Sequence, residues 1–224
     1  LDEGLLIVDP ENFERSEEYA EAYSQIRQRK GVTIWHARRR ITEPNVFTAM
    51  MVKMGDAEAF ISGLTYEYPD VIRPALQIHH TAQGAARAAG VYIMIVDDRT
   101  YFFTDATVNI DPTAEDLAAI ACLAANFAKQ MEIEPRVAFL SFSNFGSTPH
   151  PLSAKVRKAV ELVKARCPDF PFDGEMQADT AVVADIIEQR YAFSAVKDAN
   201  VLVFPSLEAA NIAYKLLARL GNAE

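Results

Sequence analysis

A polar, serine-rich turn is the first place in the sequence where chemistry could occur. Residues 140–148 read LSFSNFGST, after an apolar segment typical of a buried strand and before a segment typical of a helix. In open α/β sheets, ligands bind beyond the carboxyl ends of the strands. The backbone N–H groups of such a turn, with the hydroxyls of Ser143, Ser147 and Thr148, could hold a phosphate. The alternative is an ordinary polar connection, because the turn is neither a P-loop nor a GxGxxG fingerprint.

Arginines in two other stretches could bind an anion. Six basic residues and no acidic residue lie at positions 27–40, in a chain whose net charge is −9, and a local positive field attracts anionic ligands. Arg73 follows a predicted strand and a polar turn, and its guanidinium could bind a phosphate or carboxylate through two parallel hydrogen bonds. Two alternatives stay open, because the basic stretch could be a solvated helix face and Arg73 could pair with Asp70 or Glu67.

The alternation of strand and helix patterns predicts an α/β fold with a mainly parallel sheet that helices cover on both faces. Apolar runs predict strands at positions 5–8, 59–63, 91–96, 100–104, 137–142, 173–176 and 200–204. The strands at 91–96 and 100–104 are predicted to form a hairpin through residues 97–99. Helical periodicity, with a capping box at Thr113 and Asp116, predicts helices at positions 16–28, 33–40, 44–54, 68–78, 111–130, 151–167, 180–190 and 207–220.

A segment rich in small residues divides the chain into two predicted domains. Residues 81–90 read TAQGAARAAG, and this composition is typical of a boundary between domains. We therefore place residues 1–83 in a first domain and residues 84–224 in a second. The crossover between the two is expected at residues 84–90.

Composition excludes several classes of function. The chain has 224 residues, a pI near 5.0 and a net charge of −9, which argue against nucleic-acid binding because phosphates demand a basic surface. No apolar run approaches the roughly 20 residues that span a bilayer, and the layout of a signal peptide is missing, so we expect a cytoplasmic protein without a membrane partner. The four histidines and two cysteines show no zinc-ligand spacing, and we predict no metal site.

Five segments carry motifs that occur in the same order in one enzyme family. Their sequences are YPDVIRPALQ at 68–77, VNIDPTAE at 108–115, IEPRVA at 133–138, DGEMQ at 173–177 and AANIAY at 209–214. They resemble the phosphate acetyl/butyryltransferase (phosphotransacetylase) family, and the resemblance covers essentially the whole chain. It implies a two-lobed αβα sandwich of the isocitrate-dehydrogenase-like type with a truncated first lobe. It also implies a ligand cleft between the lobes and dimerisation through the second lobe.

The resemblance also implies which residues contact a ligand. Two arginines of the family that contact phosphate or coenzyme A match Arg73 and, more loosely, Arg27, for which Arg29 is the alternative. We assign no catalytic residue, because the family's catalytic Ser-Arg pair and a nearby Asp lie beyond Glu224. The residues assigned to binding of acetyl-CoA or phosphate are Arg27, Arg73, Thr65, Ser143, Asn144, Gly146 and Ser147.

One variant motif points to a subgroup. Residues 143–147 read SNFGS, where active phosphotransacetylases usually carry Ser-Thr-Gly/Lys-Gly-Ser. This variant is similar to the C-terminal domain of bacterial NADP-dependent malic enzymes. It implies an allosteric regulatory domain that binds acetyl-CoA and has no cofactor of its own, whereas an N-terminal part would bind NADP and a divalent metal and decarboxylate malate oxidatively.

Two other functions stay open beside the regulatory domain. The alternative is an active phosphate acetyltransferase, an acyltransferase that moves acetyl between coenzyme A and phosphate. A third interpretation is a pure oligomerisation domain, which would leave Arg73 and the basic stretch without a function. The expected partners are acetyl-CoA or a related acyl-CoA and further copies of the chain, in a homodimer or a larger assembly.

Overall fold

The computed structural model describes residues 4, 6–82, 85, 87–166 and 169–224. The chain folds into two compact units, Leu1–Gln83 and Gly84–Glu224. The interpretation of these units as a partial first lobe and as a second lobe with a dimerisation surface and ligand cleft stays a prediction. Part of the predicted crossover at residues 84–90 lies outside the described residues. None of the helices in the described ranges combines the length and the apolarity that a membrane crossing requires.

Helices form the regular structure of the first unit. The described helices of this unit are α1 (Ser16–Arg27), α2 (Ile34–Arg40), α3 (Pro44–Met54) and α4 (Tyr68–Ile78). A 3₁₀ turn, Gln28–Lys30, follows α1 directly. Gly31 and Gly55 have φ of 79° and 81°, the left-handed conformation that ends a helix. Thr33 caps α2 by accepting a hydrogen bond from the His36 N–H. The four helices predicted for this part of the chain are confirmed.

A core of aromatic and aliphatic side chains holds these helices together. Tyr19, Phe47 and Ile78 are buried, and the Phe13 ring centroid lies 5.2 Å from those of both Tyr19 and Phe47. The Tyr19 hydroxyl donates a 2.5 Å hydrogen bond to Asp56, which satisfies its polar end. The hydrophobic effect therefore stabilises this unit through its aromatic side chains.

The two strands predicted in the first unit are wrong. Residues 6–8 and 59–63 form no strand pairs, and Leu5 lies outside the described residues. Leu6 and Ile61 are 86% and 99% exposed, so the apolar runs are not buried. A strand needs a neighbour that satisfies its backbone hydrogen-bonding groups, and the described part of this unit contains none.

A five-stranded sheet forms the centre of the second unit as described. Its strands are β1 (Val91–Val96), β2 (Arg99–Thr104), β3 (Val137–Leu140), β4 (Phe172–Met176) and β5 (Val201–Val203). They are ordered β1-β2-β5-β3-β4, and only β1 and β2 pair antiparallel, whereas the other three pairs are parallel. The predicted mainly parallel sheet is confirmed.

The predicted hairpin between β1 and β2 is also confirmed. The two strands pair along their full lengths, with Val96 opposite Arg99. Asp97 and Asp98 alone form the connection, and their φ angles are 47° and 63°. Two consecutive residues in the left-handed region give a turn whose twist matches that of the flanking strands.

Helices cover both faces of the sheet, as the α/β prediction requires. One face packs against α5 (Ala114–Gln130) and α6 (Pro151–Arg166), and the other against α7 (Ala178–Val182), α8 (Ala184–Arg190) and α9 (Leu207–Leu220). Side chains along β3 alternate between the two cores, because successive residues of a strand point to opposite faces. Val137 and Phe139 belong to the first core, and Ala138 and Leu140 belong to the second.

Local sequence explains the helix boundaries in this unit. Thr113 and Asp116 form the predicted capping box at the start of α5, with both of its hydrogen bonds present. The single helix predicted at residues 180–190 is instead divided into α7 and α8. The division occurs at Val183, whose φ of −106° and ψ of 103° are extended, and β-branched residues favour extended backbone.

Candidate functional site

The turn that follows β3 is held by hydrogen bonds among its own residues. Ser143 is fully buried, and its hydroxyl oxygen accepts a hydrogen bond from the Thr148 N–H at 3.1 Å and lies 3.3 Å from the Ser147 hydroxyl. The Ser147 hydroxyl accepts from the Asn144 N–H at 3.0 Å. The hydroxyls therefore satisfy the backbone of the turn, and their contact with a ligand stays a prediction.

The side chain of Glu175 ties this turn to neighbouring elements. Its carboxylate is fully buried, and Oε1 accepts hydrogen bonds from the Gly146 N–H at 2.8 Å and the Ser143 hydroxyl at 3.2 Å. Arg157 donates to both carboxylate oxygens, at 3.1 and 3.2 Å. The backbone carbonyl of Glu175 accepts from the Phe145 N–H at 2.8 Å. These contacts join the turn to β4 and α6.

The surroundings of Glu175 favour its ionised form. Burial by itself would raise the pKa of the carboxyl, but hydrogen bonds from Arg157 and from backbone N–H groups outweigh burial and hold the pKa below its usual value. The hydrogen bond to Glu175 also raises the pKa of the Arg157 guanidinium. Sequence analysis missed this pair, because the residues are 18 positions apart and no local pattern joins them.

Asn144 and Gln177 form a second tie between the turn and the end of β4. The Asn144 side-chain amide donates to Gln177 Oε1 at 3.0 Å, and the Gln177 backbone N–H donates to Asn144 Oδ1 at 2.7 Å. Gln177 Nε2 also donates to the Phe142 carbonyl at 2.8 Å. The DGEMQ segment, one of the five on which the family resemblance rests, therefore supplies both ties.

A second buried carboxylate, Asp105, follows β2. It is 2% exposed, and it accepts hydrogen bonds from the backbone N–H groups of Thr107, Val108 and Asn109 at 2.8, 2.9 and 2.8 Å. The Gly90 N–H donates to it at 3.2 Å. A Cβ atom at Gly90 would lie 1.7 Å from Thr107 Oγ1, so the close approach requires glycine. Because β2, β5 and β3 are parallel, this loop and the turn after β3 lie at the same edge of the sheet.

In the first unit, Arg73 lines a pocket of about 260 Å³ at the start of α3 and along α4. Arg73 is exposed, and its guanidinium has no hydrogen-bond or ion-pair partner within the residues that the structure describes. The alternative pairing with Asp70 or Glu67 is therefore not formed, although Asp70 also lines the pocket. A guanidinium without a partner is free to bind an anion.

Arg40 is a second cation of this pocket. Its Nη1 atom donates to both carboxylate oxygens of Glu43, at 2.8 and 2.6 Å. Asn45, which also lines the pocket, is buried, and its Oδ1 accepts a 2.6 Å hydrogen bond from the Ser62 hydroxyl. Sequence analysis noted Arg40 within the basic stretch but did not join it to Arg73, because only the packing of α2 and α3 with α4 does so.

The other candidates from the first unit do not line this pocket. Arg27 ends α1, and its Nε atom is buried with no hydrogen-bond partner among the described residues. Thr65 is exposed, and its backbone N–H donates to the Gly63 carbonyl at 2.5 Å. Residues 143–147 belong to the second unit. The assignment of all seven candidates to one ligand therefore stays a prediction.

The phosphate cradle of backbone N–H groups that the sequence predicts for the turn after β3 is not formed, because the N–H groups of residues 143–148 all donate within the protein. Binding of anions is the chemistry that the arginines suit, because guanidinium groups stabilise phosphate groups and developing negative charge. No group of three or more His, Cys, Asp or Glu side chains is placed to hold a metal ion in the part of the chain that the structure describes.

Comparisons with known proteins identify the family. Residues 1–224 match the family described as phosphate acetyl/butaryl transferase. The chain belongs to this family. The phosphate acetyltransferase of Bacillus subtilis is 44% identical over 223 residues, which are 99% of this chain and 68% of that protein. The phosphate acetyltransferase of Thermoanaerobacterium thermosaccharolyticum is 43% identical over 97% of this chain and 69% of its own length. The predicted resemblance is confirmed, and the chain spans about two thirds of these relatives.

Solved structures from the transferase family share the fold. The EutD phosphotransacetylase from Staphylococcus aureus superposes with a TM-score of 0.91 at 35% identity, covering 100% of this chain and 69% of that one. A phosphotransacetylase from Streptococcus pyogenes gives a TM-score of 0.89 at 39% identity, covering 96% of this chain and 66% of that one. The predicted phosphotransacetylase-type fold is confirmed.

A malic enzyme is also among the proteins that are similar to this chain. The NADP-dependent malic enzyme of Escherichia coli is 40% identical over 220 residues, which are 97% of this chain and 29% of that protein. Transferase-family sequence therefore occurs both in phosphate acetyltransferases and as part of a longer malic enzyme.

Proposed function

We propose that this chain is part of a phosphate acetyltransferase, which moves an acetyl group between coenzyme A and inorganic phosphate. The observation that carries the proposal is the similarity to four proteins of that name, at 38–44% identity over 97–99% of this chain. Two of them are more similar to the chain than the malic enzyme is, at 44% and 43% against 40%. We therefore place the transferase ahead of the regulatory interpretation that the SNFGS variant favoured.

In the proposed reaction, a phosphate oxygen attacks the carbonyl carbon of the acetyl thioester. A carbon–oxygen bond forms, the carbon–sulfur bond breaks, and the sulfur of coenzyme A takes up the proton that the phosphate loses. The products are acetyl phosphate and free coenzyme A. The protein contributes by holding the two reactants together and by stabilising the negative charge that develops on the carbonyl oxygen.

Arg73 is the residue that we assign to a phosphate group of the ligand. It is exposed and without a partner among the described residues, and it shares its pocket with Arg40. Coenzyme A carries a 3′-phosphate and a pyrophosphate, so binding needs several cationic or N–H donors. Arg27, Thr65 and the turn at residues 143–147 are further contacts that we propose for the same ligand.

A second candidate function is a regulatory domain of an NADP-dependent malic enzyme. The similarity to the Escherichia coli protein supports it. In this case, acetyl-CoA would bind one of two states of the enzyme more tightly and so shift the equilibrium between them. NADP and a divalent metal would then be bound outside this chain.

One assay distinguishes the two candidates. The full-length protein is supplied with acetyl-CoA and phosphate, and the release of the coenzyme A thiol is followed by its colour reaction. A transferase should turn over on the order of 1–1000 times per second. Calorimetric binding of acetyl-CoA without turnover would favour the regulatory domain, and the absence of both would contradict both candidates.

Substitution of Arg73 tests the site. A charge-assisted hydrogen bond contributes about 1.5–3 kcal/mol, so Arg73→Ala should weaken acetyl-CoA binding by about 10- to 150-fold without unfolding the protein. The matched control is Arg39→Ala, which removes an exposed arginine of α2 that does not line the pocket. Isothermal titration calorimetry measures both variants. Equal affinities in the two variants would show that Arg73 does not bind the ligand.

Assembly and location remain proposals as well. Ile212, Leu216 and Leu220 follow one another at helical spacing along α9 and are 53%, 53% and 79% exposed, which supports the predicted homodimer through the second unit. Sedimentation of the full-length protein at micromolar concentration tests it, and a monomer would contradict it. The expectation of a cytoplasmic protein stands on the sequence alone.

A further inference from the structure

Glu175 is a fully buried carboxylate that the proposed reaction does not use. A carboxylate is costly to bury unless it is paired and hydrogen-bonded. Here the compensation comes from Arg157 and from the turn after β3, through four hydrogen bonds to the two carboxylate oxygens. The buried carboxylate in turn holds Arg157 and the turn after β3 in place.

The hydrogen-bond donors around Glu175 require an ionised carboxylate, and a neutral side chain of the same shape does not suit them. The Gly146 N–H, the Ser143 hydroxyl and the Arg157 guanidinium are all hydrogen-bond donors to it. An ionised carboxylate accepts at both oxygens, whereas a glutamine side chain would direct an NH₂ group towards one of these donors. Glutamine of nearly the same size should therefore not replace glutamate here.

The carboxylate also decides which surface of the turn a ligand meets. The Gly146 N–H, which the sequence suggests for a ligand phosphate, donates to Glu175 inside the protein. The Phe145 N–H donates to the Glu175 carbonyl, while the Phe145 ring packs 5.0 Å from Tyr191 and 4.9 Å from Phe193. The outward face of the turn therefore depends on contacts that converge on Glu175.

We propose that Glu175, balanced by Arg157, is a positioning residue that holds residues 143–148 in the shape that the acyl-CoA or phosphate ligand requires. Because it is fully buried, Glu175 acts through the turn and touches no ligand itself. The inference rests on the proposed function, in which a ligand binds at the carboxyl edge of the sheet. It adds to that function a pair of residues outside the turn that sets its conformation.

Steady-state kinetics of the full-length protein test the link to the ligand. Glu175→Gln should raise the KM for acetyl-CoA or for phosphate by about tenfold, which corresponds to about 1.4 kcal/mol, with a smaller change in kcat. Arg157→Lys keeps a positive charge but not the forked guanidinium, so its KM should lie between those of wild type and Glu175→Gln. The control is Asp198→Asn, which alters a carboxylate that pairs with Arg99 at the opposite edge of the sheet. It should leave both KM values within about twofold of wild type.

Hydrogen exchange at the Gly146 amide provides a readout that needs no ligand. Because this N–H donates to Glu175, its exchange in Glu175→Gln should be at least about tenfold faster than in wild type, relative to the amides of β3. Unchanged exchange would overturn the positioning role. Faster exchange with wild-type KM and acetyl-CoA affinity would also overturn it, because the turn would then not contribute to the ligand site.

The two readouts separate this inference from the proposed function. If the wild-type protein neither transfers acetyl nor binds acetyl-CoA, the proposed function fails, and the ligand role of Glu175 fails with it. Exchange at Gly146 still shows in that case whether Glu175 holds the turn. If Glu175→Gln does not fold, Arg157→Lys gives the same two readouts, and wild-type values for both would overturn the proposal.

Discussion

Two buried carboxylates shape loops at the same edge of the second unit's sheet, and they are held in different ways. Asp105 accepts hydrogen bonds from backbone N–H groups, three of which lie two to four residues further along the chain. Glu175 accepts from a guanidinium, a hydroxyl and a backbone N–H that are 18 to 32 residues away. The first carboxylate organises its own loop, and the second joins β3, β4 and α6.

The difference determines how each loop responds to change. Backbone N–H groups stay in place when side chains are substituted, so four of the donors to Asp105 are independent of residue identity, whereas the Asn109 side-chain amide, which also donates to it, is not. The charge of Glu175 is balanced by the side chain of Arg157, which is 46% exposed and can be replaced. The turn after β3 is therefore the loop that substitution of a partner residue should alter most readily.

Asp105→Ala should have the largest effect on stability. Four backbone N–H groups would lose their acceptor, and each buried group left unsatisfied costs about 1–3 kcal/mol. We expect the free energy of unfolding to fall by about 3 kcal/mol or more, measured by urea denaturation. Asp105→Asn keeps one accepting oxygen and should lose less. A loss below about 1 kcal/mol in the alanine variant would contradict the role of Asp105 as the centre of its loop.

Arg157→Gln should have an intermediate effect. It leaves Glu175 buried without its cation, but Arg157 is 46% exposed, so water can partly replace the guanidinium. We expect the free energy of unfolding to fall by less than it does in Asp105→Ala, because water already reaches part of the guanidinium. The matched control is Lys158→Gln on the same helix, because the ion pair of Lys158 with Glu161 is exposed and should contribute about 0–1 kcal/mol. Similar losses in the two variants would place Glu175 in a more solvated setting than its burial indicates.

The smallest expected effect is a difference between wild type and Glu175→Gln in how the free energy of unfolding depends on pH. The folded pKa of Glu175 lies below the ordinary value of 4.5. Its contribution to stability is therefore fully present above that value, and it is lost as the pH falls through the folded pKa. The free energies of unfolding of wild type and Glu175→Gln should differ most near neutral pH and converge in acid. Denaturation curves from about pH 6 to about pH 3 measure this, and a constant difference would show that folding does not lower the pKa of Glu175.

Features set by neighbouring residues could be predicted from the sequence. The capping box at Thr113 and the hairpin turn at Asp97 and Asp98 involve contacts within a few positions, and the structure contains both. The order of the strands is a different matter, because β5 inserts between β2 and β3. Helical and strand periodicity carries no information on which strands become neighbours, so the mainly parallel character was predictable and the order was not.

The errors and omissions have a common cause in long-range contacts. The apolar run at residues 6–8 has the composition of a strand but no partner in the described part of its unit. Arg73 was identified as an anion-binding candidate, but its pocket with Arg40 depends on how three helices pack. Glu175 lies in the DGEMQ segment, and only the fold brings it to Gly146. The candidate site could therefore be predicted residue by residue, but its internal bonding could not.

The turn between β1 and β2 offers a means of engineering the protein. It places two adjacent aspartates in the left-handed region, at φ of 47° and 63°, where a residue with a Cβ atom is strained and glycine is not. Their like charges also repel each other. An Asn-Gly pair suits such a turn better, and the turn lies at the opposite end of β2 from Asp105. The hairpin is therefore a position where the protein could be made more heat-resistant for crystallography or industrial use without a change in the loops that face the proposed ligand.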